Sequence, residues 1–107
     1  DLPDHGSYRR LLRSAPDPGA LLRRIASSPE VVADQWQVQV QARVQQQARV
    51  LVHTGGLSAD ELAEAHLGAC EDISAAVADA LARAGAGATV AVLPEGPTTI
   101  PYLLCPT

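Results

Sequence analysis

Two short runs rich in β-formers, Val50 to His53 and Thr89 to Leu93, stand about 35 residues apart, and the stretch between them is punctuated for helices. Strands joined through helix suit a right-handed parallel crossover. A parallel sheet is normally covered on both faces, and two strands alone do not make such a sheet. The chain is therefore expected to be an α/β unit carrying only part of a sheet. The missing strands would come from upstream sequence or from another chain.

The helical signals can be read along the chain. Asp1 to Gly6 is a polar lead. Ser7 is placed to cap a short helix over Tyr8 to Ala15, which Pro16 ends. A second helix starts at Asp17, with Pro18 in its first turn, and carries Leu21, Leu22 and Ile25 to about Ala26 before Ser27-Ser28-Pro29 breaks it. Between Asp34 and Ala48 two periods compete. Trp36, Val38, Val40, Ala42 and Val44 alternate as in a half-buried strand, while Trp36, Val40, Val44 and Ala48 fall at helical spacing. The good helix formers between them, the candidate N-cap Asp34 and a length far above the usual ~5–6 residues of a strand favour helix.

After Val50 to His53, Thr54-Gly55-Gly56 reads as a turn and Ser58-Ala59-Asp60-Glu61 as a capping box, opening a helix through about His66 that Gly68 closes. Asp72 caps the next helix, with Ile73, Val77, Ala80, Leu81 and Ala84 as its buried face and Gly85 as its stop. Thr89 to Leu93 is the second strand, and Pro94-Glu95-Gly96-Pro97 a turn. There are no internal repeats. One domain is expected over 1–107, with a helical lead-in at 1–30 and the main α/β unit at 34–107.

At 107 residues the core must be modest, and with no Phe, no Met and an aromatic share of 3% it must be built from Leu, Val, Ile and Ala. Each buried Val or Leu contributes roughly 1.5–3 kcal/mol. A net charge of −4 argues against a nucleic-acid binder, which carries a basic patch. All eight basic residues are Arg, a pattern that coding bias explains, so no lysine is present to form a Schiff base or tether a cofactor. Arg9, Arg10, Arg13, Arg23 and Arg24 read as a solvated helical face. No apolar run approaches the ~20 residues of a membrane span. Cys70 and Cys105 form no C-x-x-C pair and no signal peptide is evident, so free thiols in the cytoplasm are expected. Beginning at Asp1 rather than Met, the chain is expected to be a processed or excised piece.

Few residues point to chemistry. His66 and Cys70 are four apart, but Gly68 lies between them and no third ligand is evident, so His66 reads as a partner of a helix dipole. His53 ends a strand, where open α/β sheets bind ligands, yet Gly55-Gly56 alone is a weak signal. His5 lies in the polar lead. No serine sits in a G-x-S-x-G elbow. The seven glutamines between Gln35 and Gln47 suggest a solvated or inter-lobe face. Trp36 is the single Trp; residue type alone makes it a core anchor.

Asp34-Gln35-Trp36-Gln37, followed by Gln39, Ala42, Arg43 and Val44, resembles a signature of the C-terminal domain of nickel-dependent lactate racemases. The tail Val92-Leu93-Pro94-Glu95-Gly96-Pro97-Thr98-Thr99-Ile100-Pro101 and the lead His5-Gly6-Ser7-Tyr8 are similar to it as well, in matching order over nearly the whole chain. The D-Q-W-Q and P-E-G-P elements are the specific ones. This resemblance implies a partial Rossmann-like three-layer unit, the C-terminal lobe of a two-lobed racemase or epimerase of lactate or a related 2-hydroxy acid. It also implies that a nickel-pincer nucleotide accepts a hydride from the α-carbon while histidines move protons. The tethering lysine, the nickel-binding histidine and the acid/base histidines of the family lie in the N-terminal lobe, so no catalytic, cofactor or metal residue is carried over to this chain, which alone should be inactive. Trp36 is similar to the family's tryptophan on the substrate side of the cleft, reversing its assignment as a core anchor, with Gln35 and Gln37 as its support. The implied partners are the N-terminal lobe and a small 2-hydroxy acid, with neither nucleic acid nor membrane. The alternatives are a non-catalytic α/β interaction module or remnant that self-associates through a sheet edge, and a metal- or nucleotide-binding domain using His53, His66 and Cys70.

Overall fold

A computed structural model describes Leu2, residues 6–102 and Leu104 of the chain. His5 and Cys105, singled out in the sequence, lie outside the described residues. The described chain is α/β: five helices and a two-stranded parallel sheet.

Helix α1 (Tyr8–Leu12) stops short of the expected Ala15, because Ser14 turns both its amide (3.0 Å) and its hydroxyl (2.6 Å) onto the Leu11 carbonyl. Ser7 does not cap it through its side chain; its Oγ instead accepts from the Arg10 guanidinium at 3.0 Å. Helix α2 (Pro18–Ser27) begins as expected, the Asp17 carboxylate accepting from the Ala20 amide at 2.7 Å with Pro18 in the first turn. Helix α3 (Gln35–Gln47) settles the competition between periods in favour of helix. Asp34 precedes it without a side-chain cap: its φ is 64° and its carboxylate is turned toward Gly6, where an added Cβ would lie 2.5 Å from Oδ2.

The two periods in α3 have a physical consequence. Side chains two residues apart on a helix point in nearly opposite directions. Val38 and Ala42 are fully buried against α1 and α2, whereas Trp36, Val40 and Val44 form a second, exposed apolar stripe. The core sits at the inner face, where Leu12, Leu21, Ile25, Val38, Ala42 and Ala65 meet. It is wholly aliphatic, as composition required.

Strand β1 (Leu51–Val52) falls within the first predicted strand. Its partner is not Thr89 to Leu93 but β2 (Gly68–Ala69), pairing Leu51 with Gly68 and Val52 with Ala69. Gly68 is thus a strand residue rather than a helix stop. A Cβ there would lie 2.5 Å from Leu51 Cδ2, so glycine lets the strands approach. Between them, α4 (Ala59–Glu64) opens on the predicted capping box: the Glu61 amide donates to Ser58 Oγ (3.2 Å) and the Ser58 amide to Glu61 Oε2 (2.9 Å). It ends before His66 because that residue is left-handed (φ 58°) and the Leu67 amide bonds back to the Leu62 carbonyl at 2.9 Å, the glycine role in a Schellman-type stop.

Helix α5 (Ile73–Ala84) has the predicted ends: Asp72 accepts from the Ala75 amide at 2.9 Å, and Gly85 follows at φ 85°. Its expected buried face is exposed, Ile73 by 57% with Val77 and Leu81 also open. Residues 89–93 form no regular element and have no ladder partner, and a 3₁₀ turn at Gly96–Thr98 follows where a turn was expected. Neither the buried face expected of α5 nor the strand expected at Thr89 to Leu93 is present: both carry apolar side chains that stay exposed.

Candidate functional site

An open groove of about 620 Å³ lies at the start of α3. Trp36, Gln37, Val40 and Gln41 of α3 line it together with Leu2, Tyr8 and Asp34. Trp36 is 66% exposed, so it is no core anchor. Its helix is packed from behind through Val38 and Ala42, and the indole lies in the groove lining.

Tyr8 and Gln41 are joined within the lining. The Tyr8 hydroxyl donates to Gln41 Oε1, and Gln41 Nε2 donates to the Ala65 carbonyl at 2.9 Å. This relay ties α1 and α3 to the end of α4. Burial pushes the Tyr8 phenol above its ordinary pKa, so it stays neutral and donates at physiological pH. Asp34 supplies the one carboxylate of the lining.

The two glutamines beside Trp36 differ. Gln35 turns away: its Oε1 accepts from the Val32 amide at 3.2 Å, closing the loop before the helix. Gln37 lies in the groove lining next to the indole and is exposed. Nor is the glutamine run uniformly solvated. Gln45 Nε2 donates to the carbonyls of Ala65 and His66, each at 2.9 Å, and Gln41 joins it there. A helix end leaves carbonyls in need of donors, and α3 provides them.

His53 and His66 each bond a backbone carbonyl. His66 Nε2 lies 3.0 Å from the Leu12 carbonyl and His53 Nδ1 2.8 Å from the Cys70 carbonyl, so each of these nitrogens carries the proton. Cys70 is a half-buried free thiol. Among the described residues no three His, Cys, Asp or Glu converge as a metal site. The arginine face is partly neutralised: Arg9 meets Glu64 Oε2 at 3.0 Å and Arg13 meets Oε1 at 3.7 Å, while Arg24 Nη1 donates to the Ser14 carbonyl at 3.2 Å. Among the described residues no helix is long and apolar enough to cross a membrane.

Of the residues singled out in the sequence, Trp36 and Gln37 line the groove and Gln35 does not, while Tyr8, Asp34 and Gln41, which also line it, were not proposed as site residues. Gln41 carried one available signal, a position flanking Val38 and Ala42 on the inner side of α3, where a polar residue needs a partner.

Residues 5–100 match the model of the family described as lactate racemase C-terminal domain. Among curated proteins and among solved structures, none matches the chain.

Proposed function

The chain belongs to the lactate racemase C-terminal domain family, and from that premise we propose that it is the C-terminal lobe of a racemase or epimerase of lactate or a related 2-hydroxy acid. In this proposal it closes an inter-lobe active site with Trp36 as the substrate-side wall and acts in the cytoplasm.

The observation that carries the proposal is the two-faced helix α3. A helix that is apolar on opposite sides belongs in the interior of an assembly. Here one side is covered by α1 and α2, while Trp36, Val40 and Val44 remain bare. Covering the exposed two-thirds of the indole alone would contribute about 3 kcal/mol to docking a second lobe.

The nickel-pincer nucleotide expected of the parent enzyme does not fit the residues of this chain. The sequence holds no lysine to tether it, and among the described residues no ligand cluster forms. Its tether and ligands are assigned to the N-terminal lobe, and this lobe contributes shape and polarity. Trp36 would keep water from the substrate, Gln37 would offer its amide to the carboxylate or hydroxyl of a hydroxy acid, and the neutral Tyr8–Gln41 pair would hold the lining in place. Gln35 would support Trp36 indirectly, by fixing the turn from which α3 starts.

The test is Trp36→Ala in the two-lobed enzyme, read by chiral analysis of lactate. A drop in kcat/KM of about tenfold or more, measured with the two lobes fully associated, supports the wall; unchanged kcat and KM would refute it.

A further inference from the structure

The segment from Ile73 to Leu93 stands apart from the core. Its helix exposes Ile73, Val77 and Leu81, and its tail exposes Val90 and Val92. The radius of gyration is 16.2 Å, against about 13 Å for a compact domain of this length. Between sheet and helix lies a gap of about 390 Å³, lined on one side by Leu51 and His53 and on the other by Ile73, Val77 and Ala80.

We infer that α5 and residues 89–93 form an arm that closes on this gap, making Thr89–Leu93 a third parallel strand on the free edge of β1. Three features of the structure fix the edge. The Gly68 and Cys70 amides donate to the Val50 and Val52 carbonyls (3.0 and 2.9 Å), so Leu51 and His53 direct their backbone groups to the edge away from β2. Leu51 and His53 face α5 across the gap, whereas Val50 lines a separate cavity with Gln45 and His66, on the side of α3 and the end of α4. The crossover from β1 to β2 and the one that follows therefore lie on opposite faces of the sheet. Two right-handed crossovers on opposite faces carry the third strand back past the first, giving the order β2, β1, third strand.

The sequence of the arm fits this closed form. Thr89 to Val92 alternates for pairing on a sheet, and among backbone bonds outside regular elements none involves residues 89–94. Gly85 (φ 85°) and Gly87 (φ 91°) supply the flexible joint between helix and strand. Closure covers the α5 stripe and one bare edge in one movement, and sets the turn after Leu93 beside the His53–Gly56 loop at the carboxyl end of the sheet. The inference does not depend on the racemase assignment.

Amide exchange on the full chain, with its solution mass and scattering radius, tests it. Closure predicts exchange at residues 90–93 slowed about 100-fold relative to unpaired amides, a radius near 13 Å and the mass of one chain. Val92→Asp should abolish that protection while leaving α2 and α3 protected as before. Fast exchange at 90–93 in the unaltered chain would overturn the closure. So would protection at twice the mass, which would mean that a second copy fills the edge, or protection that survives Val92→Asp.

Discussion

Val38→Ala and Val40→Ala are the same chemical change on opposite faces of one helix. Each removes the equivalent of two methylene groups, worth about 1.6 kcal/mol if fully buried. Val38 is 0% exposed, so the whole amount applies and a cavity term brings the loss to about 2.5 kcal/mol. Val40 is 57% exposed, which leaves about 0.7 kcal/mol. Alanine restores about 0.5 kcal/mol of helix propensity in both cases. Val38→Ala should therefore cost about 2 kcal/mol and Val40→Ala almost nothing. In thermal melts followed by far-UV circular dichroism, the first should lower Tm by about 10 °C and the second by less than about 2 °C. Equal shifts, or a larger one at Val40, would refute the two-faced reading of α3 and the exposed docking stripe with it.

Gly68→Ala should cost about 1 kcal/mol in urea denaturation, because the new Cβ forces Leu51 Cδ2 aside; an unchanged midpoint would mean that the strands do not approach as described. Glu61 has its carboxyl pKa lowered below the ordinary 4.5 by its hydrogen bonds to the Ser58 backbone and hydroxyl. The capping box therefore stabilises α4 fully above that ordinary value and loses its contribution as pH falls through the lower folded value. The protection of the Glu61 amide relative to its intrinsic exchange rate should fall over that window, and Glu61→Ala should remove that change in protection. Tyr8→Phe leaves Gln41 Oε1 without its donor and should cost about 1 kcal/mol, measured by the same denaturation; no loss would show that the relay to Ala65 does not bear on stability.

Much of the fold was written locally. Asp17, Ser58 and Asp72 accept from amides three residues on, so the starts of α2, α4 and α5 could be read from neighbouring letters. Asp34 shows where such reading fails: its carboxylate is turned to Gly6 across the chain, and nothing next to it in sequence says so. Strand β2 was illegible because Gly68 and Ala69 carry no β preference; their pairing comes from the close approach that a missing Cβ permits. Thr89 to Leu93 failed in the opposite sense, a clear β pattern without a paired edge in the structure. In the groove, Trp36 was singled out by likeness to a family, whereas its residue type pointed to the core. Its exposure could be known only once Val38 and Ala42 had taken the inner face of α3. Gln41 and Gln45 act through carbonyls that the left-handed turn at His66 leaves behind, and a left-handed histidine has no sequence signature.

Reconstitution with the separately prepared N-terminal lobe, loaded with its nickel cofactor, tests the central claim most directly. Mixing it with this chain should interconvert L- and D-lactate, or a related 2-hydroxy acid, at a rate that saturates with chain concentration, while neither component does so alone. Turnover by the N-terminal lobe that is indifferent to added chain, or turnover by this chain unaided, would contradict the account.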